Sequence, residues 1–416
     1  MVSRADRSVL SEWWWTVDRL LLALFLFLIA TGVVLSFAAS PPVAQRLGLD
    51  SLYFVKRQIA FAIPAVPILI VTSFLQPKTL RRVCLAAFVI GLALMAATLA
   101  IGPEVKGARR WLSLGGLSVQ PSEIVKPAFV ILAAWLFAES VRRPDMPGVT
   151  LSVALVGAVI GLLVLQPDFG QTLLILLVWA ALFFMAGMPW GLIAGFAGLG
   201  VAGLIAAYHT VAHVAKRIDR FLDPASGDAY QIRMAIDSFL NGGFFGRGPG
   251  EGTVKYRLPD AHTDFIFAVV AEEYGAILCM LLVGVFAAVV LRGLTRSMHE
   301  KDLFTRLAIA GLTLLFGLQS SINFAVNLQL MPAKGMTLPF ISYGGSSTLA
   351  MAFGMGLLLA LARRRPRPSL GPAPGAERFE AKGLRSWLPG RRVEGTMTTS
   401  AARDPAAAQA VSGRAT

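Results

Sequence analysis

The chain is poor in charge, in cysteine and in histidine, and each shortage argues against a class of function. Asp, Glu, Lys and Arg make up 15% of 416 residues, against roughly 25% in soluble domains. An ordinary soluble globular protein is excluded. The two cysteines, Cys84 and Cys279, both lie inside apolar runs, so neither a disulfide framework nor a cysteine-rich metal cluster is expected. The four histidines have neither H-x-x-H nor HExxH spacing, and no G-x-x-x-x-G-K-[ST] run occurs. These absences argue against a zinc protease and an ATP-driven pump.

What the chain has in abundance is apolar sequence. Hydrophobic residues reach 56% and the mean hydropathy is +0.66. A membrane-crossing helix needs about 20 apolar residues, so roughly ten crossings consume about half of the chain. The runs predict spans over 18–39, 54–75, 82–101, 121–140, 148–166, 170–187, 189–208, 264–291, 304–328 and 343–362. The expected fold is an all-α polytopic membrane protein with both termini on one side. Residues 1–17 form a short N-terminal segment whose tryptophans, Trp13 to Trp15, suit a membrane interface. A cleaved signal peptide does not fit, because the first apolar stretch is too long and lacks a clear cleavage site. Residues 18–365 form the helical domain. From Pro366 to Thr416 the composition turns to Pro, Ala, Gly, Arg and Ser, which predicts a disordered tail.

The net charge of +14 flanks the spans, so it reads as topology and phosphate contacts rather than as a nucleic-acid surface. With both ends cytoplasmic, the inner loops hold Lys78, Arg81, Arg82, Arg142, Arg143, Arg292, Arg296, Lys301 and Arg306. Arg363 to Arg365 and Arg367 follow the last span. The short outer segments hold Arg46, Lys106, Arg109, Arg110 and Lys334, with Lys56 and Arg57 at a boundary. One large outer loop, 209–262, adds seven more cations, but long loops cross largely regardless of charge. Its stretches Val211–Leu222 and Tyr230–Leu240 are amphipathic and predict short helices on the membrane face.

Polar residues concentrate in four places. In GPEVKGARRWLSLGGLSVQPSEIVK, from Gly102, Lys106, Arg109 and Arg110 precede a Gly-Gly turn and a helix begun by Pro121. Glu123 and Lys126 share one face of that helix, and Pro127 is expected to kink it. Charges inside a span face a partner or a cavity, so the pair is either structural or lines an anion site. In Gln166-Pro-Asp-Phe-Gly-Gln171, Asp168 is expected to cap the next helix rather than to catalyse. The third place runs from Arg247-Gly-Pro-Gly-Glu251 through Lys255 and Arg257 to His262-Thr-Asp264. Asp264 stands where a polar loop enters an apolar helix, a position suited to a general base, or to a helix-terminal carboxylate. Glu272 lies about 80° from Asp264 on a helical wheel and Glu273 opposite it, so at most one can share its cavity. The fourth, PAKGMTLPFISYGGSS from Pro332, holds Lys334, Ser342 and Ser346 in irregular backbone at membrane depth. Such backbone persists only where protein or water satisfies it.

HTDFIFAVVAEEYG and PAKGMTLPFISYGGSS together resemble the SEDS family (shape, elongation, division and sporulation). GARRWLSLGGLSVQPSEIVKP and QPDFGQ fit the same family in order and spacing, and the likeness covers residues 15–365. The pair Lys334-Gly335 looks like the cell-division branch. Ala325 and Gln329 depart from the pattern, standing where many relatives have glycine. The resemblance implies a peptidoglycan glycosyltransferase that polymerises lipid II at the outer face of the inner membrane, at the division septum. It implies Asp264 as the essential acid. It also implies a class B penicillin-binding protein, a transpeptidase, as partner, together with other divisome proteins.

The residues fit that chemistry. A β-1,4 bond made from an α-linked lipid pyrophosphate needs a base for the acceptor hydroxyl and cations for the departing pyrophosphate. Asp264 is the base candidate. The substrate-binding candidates are Lys106, Arg109, Arg110, Glu123, Lys126, Arg247, Lys255, Arg257, His262, Lys334, Ser342 and Ser346. A divalent cation, Mg²⁺ or Mn²⁺, could bridge Asp264 to the pyrophosphate. Two rival readings use the same features: a flippase for lipid-linked precursor, whose broken helices would fit, and a non-catalytic divisome scaffold.

Overall fold

The computed structural model describes residues 8–364, apart from Lys106, Gly115, Gly116, Ala333, Lys334, residues 211–214, 216–218 and 220–229. The expected tail and the Val211–Leu222 stretch therefore lie almost wholly outside the described residues.

A short helix α1 (Val9–Thr16) leads into α2 (Arg19–Arg46), α3 (Tyr53–Ser73) and α4 (Pro77–Ile101). A two-stranded antiparallel hairpin, β1 (Leu112–Leu114) and β2 (Leu117–Val119), pairs Leu112 with Val119. The sequence itself predicts only the Gly-Gly turn there. Then come α5 (Pro121–Arg142), α6 (Gly148–Leu165), α7 (Phe169–Met185), α8 (Trp190–Thr210) and α9 (Tyr230–Gly242). The chain closes with α10 (Ile266–Met298), α11 (Leu303–Asn327) and α12 (Gly345–Ala362). All ten expected spans are helices. Nine are long and apolar enough to cross a membrane, and α7, with 17 residues, rises only about 26 Å.

The bundle is layered by burial. The most apolar windows of α12, α5 and α11 are 83%, 72% and 67% buried, against 28% for α4 and α6, so these three form the centre. The outer helices turn Leu85, Val89, Ile90 and Val164 outward, as lipid-facing surfaces do. The two ends of the bundle sequence meet: the Arg364 amide donates to the Thr16 carbonyl at 3.0 Å and Arg363 Nε to Thr16 Oγ1 at 2.9 Å. Both ends thus lie at one face, as an even number of crossings requires.

Three local features add detail. Trp13 is buried, stacked on Phe74 at 5.0 Å with its indole N–H donating to Ser73 Oγ at 2.7 Å. Only Trp14 and Trp15 are exposed, with the Arg19 guanidinium over both rings. Helix α5 runs from Pro121 to Arg142 with Pro127 inside it, and a full break in the helical backbone falls in α10, at Gly275, with φ 78° and ψ 176°. The departure at Gln329 has a backbone consequence, since it sits just beyond α11 at φ 60°, a left-handed conformation that glycine adopts without strain.

Candidate active site

Asp264 sits on the turn that enters α10. The capping position belongs to Phe265, with no side-chain cap bond, so Asp264 stands one residue ahead of the cap, at the positive end of the helix dipole. Its carbonyl is held by two amides from α11: Asn323 Nδ2 at 2.9 Å and Asn327 Nδ2 at 3.0 Å. Asn323 Nδ2 also donates to the Met336 carbonyl at 2.7 Å, and Asn327 Oδ1 accepts from the Ala268 amide at 3.2 Å. One asparagine thus ties the Asp264 turn to the irregular segment before α12. A second tie comes from Ser342, whose hydroxyl donates to the Thr263 carbonyl and accepts from the Leu338 amide. A third is the Tyr343 amide, donating to the His262 carbonyl at 2.9 Å. The Asp264 carboxylate, partly exposed, faces Gly335: a Cβ placed there would stand 3.6 Å from Oδ2.

The irregular segment approaches closely because α2 lets it. The Phe340 carbonyl lies against Gly32, where any side chain would collide with it. Below, a polar chain crosses three spans. Lys126 Nζ donates to Glu123 Oε1 at 2.9 Å and to Gln319 Oε1 at 3.0 Å. Gln319 Nε2 reaches the Thr337 carbonyl at 3.1 Å, and Gln171 Nε2 reaches Glu123 Oε1 at 2.9 Å. Glu123 and Lys126 are 4% and 2% exposed. Burial of such a pair is costly unless its remaining polar atoms are satisfied; the glutamines supply part of that, while Glu123 Oε2 relies on its 2.9 Å approach to Lys126 Nζ alone.

A family model described as "Cell cycle protein", covering FtsW, RodA and SpoVE, matches residues 18–366. The chain belongs to this family. Among its relatives is a Caulobacter vibrioides protein named "Probable peptidoglycan glycosyltransferase FtsW", 47% identical over 350 residues, spanning 84% of this chain and 90% of that one. A Coxiella burnetii protein of the same name is 35% identical over 347 residues, spanning 80% and 93%. The crystal structure of the Thermus thermophilus rod shape determining protein RodA matches with a TM-score of 0.63 and 28% identity, over 85% of this chain and 99% of that one. A chain from a peptidoglycan synthase complex, described for its coordination of polymerization and crosslinking, matches with a TM-score of 0.69. It is 29% identical, over 83% and 97% of the two chains.

Within this family fold, several predicted substrate cations turn out to be engaged by the protein itself. Arg110 donates to the Gln166 and Pro167 carbonyls and stands 3.5 Å from Asp168. Asp168 in turn caps α7, accepting from the Gln171 amide at 3.3 Å. Lys126 is spent on Glu123, as above. Lys255, 3% exposed, is held by Glu273. In this structure each of the three is paired with a carboxylate at a buried or half-buried site. Ser342 is likewise occupied in closing its own turn. His262 is buried between the rings of Phe54, at 4.5 Å, and Tyr343, at 5.3 Å. Arg109, Arg247 and Arg257 stay exposed; Arg109 is 3.8 Å from Glu104, and Arg247 Nε donates to the Asn241 carbonyl. Ser346 is buried at the start of α12. Lys106 and Lys334 lie outside the described residues.

Neither Glu272 nor Glu273 serves Asp264. Glu272 accepts from the amides of Thr253, Val254 and Lys255, at 2.6, 2.7 and 3.0 Å, and from Asn241 Nδ2 at 2.9 Å. The break at Gly275 exposes backbone groups of α10, and the loop satisfies them. Arg247 and Gly248 amides donate to the Glu272 and Glu273 carbonyls, while Ala276 and Ile277 amides donate to Gly243 and Phe244. The residues that sequence reasoning missed are Gln319, Asn323 and Asn327. They recur every four positions along α11, a polar stripe on one helical face that an apolar span has no other reason to carry.

Proposed function

We propose that the chain is a multi-pass peptidoglycan glycosyltransferase of cell division. In this reading it polymerises lipid II into β-1,4-linked glycan and releases undecaprenyl pyrophosphate. The observation that carries the reading is the setting of Asp264. Its carboxylate is partly exposed beside Gly335, its backbone is fixed by Asn323 and Asn327, and the nearby Glu272 and Glu273 are both committed to the loop.

The acceptor 4-hydroxyl gives its proton to the Asp264 carboxylate as its oxygen bonds to C1 of the donor sugar. The C1–pyrophosphate bond breaks and the pyrophosphate leaves with the electron pair. Since pyrophosphate leaves readily, positive charge replaces a second acid, and the exposed Arg109, Arg247 and Arg257 are the described cations available to supply it. Among the described residues no group of three or more His, Cys, Asp or Glu side chains could hold a metal ion, which argues against a dedicated protein cage. A Mg²⁺ or Mn²⁺ ion fits the one carboxylate of Asp264 together with substrate phosphates, and would supply charge neutralisation there. Glu123, Lys126 and Gln319 act as positioning residues, because their chain ends on the Thr337 carbonyl.

The partner in this reading is a class B penicillin-binding transpeptidase, with other divisome proteins around it. The likeness to a chain of a peptidoglycan synthase complex supports it. The protein lies in the inner membrane at the septum, with the Asp264 end facing the periplasm. The test is polymerisation of labelled lipid II by purified protein with its transpeptidase and a divalent metal, beside Asp264→Asn. A glycan ladder that vanishes in the variant is the expected result. A ladder persisting in Asp264→Asn sinks the assignment of Asp264. No ladder from a well-folded wild-type complex favours the flippase.

A further inference from the structure

At the opposite end of the bundle from Asp264, a cavity of about 400 Å³ opens between the start of α4 and the end of α5. Lys78, Arg81, Arg82, Leu85 and Trp135 line it. Trp135 is twelve residues beyond Glu123 along α5, which places the cavity about 18 Å from the Glu123–Lys126 pair along the helix axis. Three cations in one cavity repel one another, and among the described residues no carboxylate forms an ion pair with any of them. Other cations at this end are matched: Arg142 with Asp302 and Arg143 with Glu139. The Arg81 guanidinium is held in place, 5.4 Å from the Trp135 ring and 5.2 Å from that of Phe304.

The pattern along α4 identifies the occupant. Lys78, Arg82, Leu85 and Val89 follow one another at spacings of four, three and four, so they form a single stripe. Its first half is exposed and cationic; its second half is exposed and apolar, with Leu85 49% and Val89 58% exposed. A free anion would use only the first half. An amphiphile with an anionic head and an acyl chain uses both, and basic pockets between spans at a membrane face take such headgroups. The volume lies within the range of small-ligand pockets. From this juxtaposition we infer that the α4–α5 cavity binds an anionic phospholipid. Its phosphate sits on Lys78, Arg81 and Arg82, with Arg81 braced on the Trp135 ring, and its acyl chain runs along Leu85 and Val89. The site is separate from the glycosyltransferase reading and stands or falls without it.

The test uses the full chain in detergent, titrated with cardiolipin, phosphatidylglycerol or phosphatidylethanolamine and read by native mass spectrometry. Glycerol 3-phosphate without acyl chains is the control for the headgroup alone. The expected result is retention of the anionic lipids over phosphatidylethanolamine, with a drop of at least about tenfold in Lys78→Gln/Arg82→Gln, given the strength of each cation at an anionic surface. Both residues are exposed, so the variant keeps its fold; Lys301→Gln, a cation at the same face but outside the cavity, is expected to bind as wild type does. Retention of the lipids unchanged in the double variant overturns the inference. So does equal loss in Lys301→Gln, which would mean general surface charge. Tight binding of glycerol 3-phosphate would replace the lipid by a soluble phosphate ligand.

Discussion

Asp264 and the Glu272–Glu273 pair stand within nine residues of each other, yet the fold treats them in opposite ways. Asp264 is anchored through its carbonyl and leaves its carboxylate partly exposed beside Gly335. Glu272 and Glu273 are 0% and 1% exposed, and their carboxylates bind the 253–255 segment and Lys255. A buried carboxylate that meets several donors is structural glue, since removing a partner strands a charge. At Asp264 it is the backbone that Asn323 and Asn327 fix, and the residue stays partly exposed at the mouth of the helix. Which of the two an acid becomes is decided by what the backbone around it needs, and in α10 that need comes from the break at Gly275.

The comparison yields predictions of graded size. Asp264→Asn is expected to lower polymerisation by about 10²–10⁴-fold, the range of a positioned acid–base group. Its thermal midpoint should stay within a degree or two of wild type, which would mark Asp264 as chemistry rather than glue. Glu273→Gln should do the reverse in kind. It leaves Lys255 buried without its counter-ion, at a cost of about 3–5 kcal/mol, seen as a lowered unfolding midpoint in detergent. Adding Lys255→Met should recover much of that loss; failure to recover it would mean the pair does not act as a unit.

Gly275→Ala forces a side chain into a left-handed residue whose Cβ would meet Phe244 and Gly246, and should cost about 1–3 kcal/mol. Gly284→Ala, later in the same helix with open space around it, should be neutral or stabilising by about 1 kcal/mol. Equal effects at the two glycines would remove the argument that the break accommodates the loop. The smallest effect lies at the far end. Burial of Asp302 works to raise its pKa, but Thr305 and Arg142 outweigh it and hold the carboxyl below its ordinary value of 3.8. Its stabilisation is then complete above that value and fades as pH falls through the lowered one. Asp302→Ala should cost about 1 kcal/mol as a lost helix cap at neutral pH, and less in acid. A cost that grows in acid would contradict this sign.

Much of the site was visible in the chain, because charge and glycine are rare enough in an apolar sequence to stand out. The HTDF turn, the PSE-x-x-K helix and the PAKG…SYGG segment were all singled out as polar places. Their residues do converge, Asp264 on Met336 through Asn323, and Lys126 on Thr337 through Gln319. The partners that make them converge come from α11, which was read only as a span. The Glu123–Lys126 pair is legible because its members share one helical face, whereas the partners of Lys255 and Arg110, Glu273 and Asp168, lie 18 and 58 residues away, where spacing alone cannot pair them.

The sequence alone determined the all-helical, ten-span architecture, because crossing a bilayer demands long apolar helices and leaves no other signal so strong. It also determined where chemistry could reside. Tertiary structure decided which charges remain for that chemistry. Ion pairs and hydrogen bonds between distant segments depend on packing, and a helix break at Gly275 exposes backbone groups that only a particular loop, 243–248, is placed to satisfy.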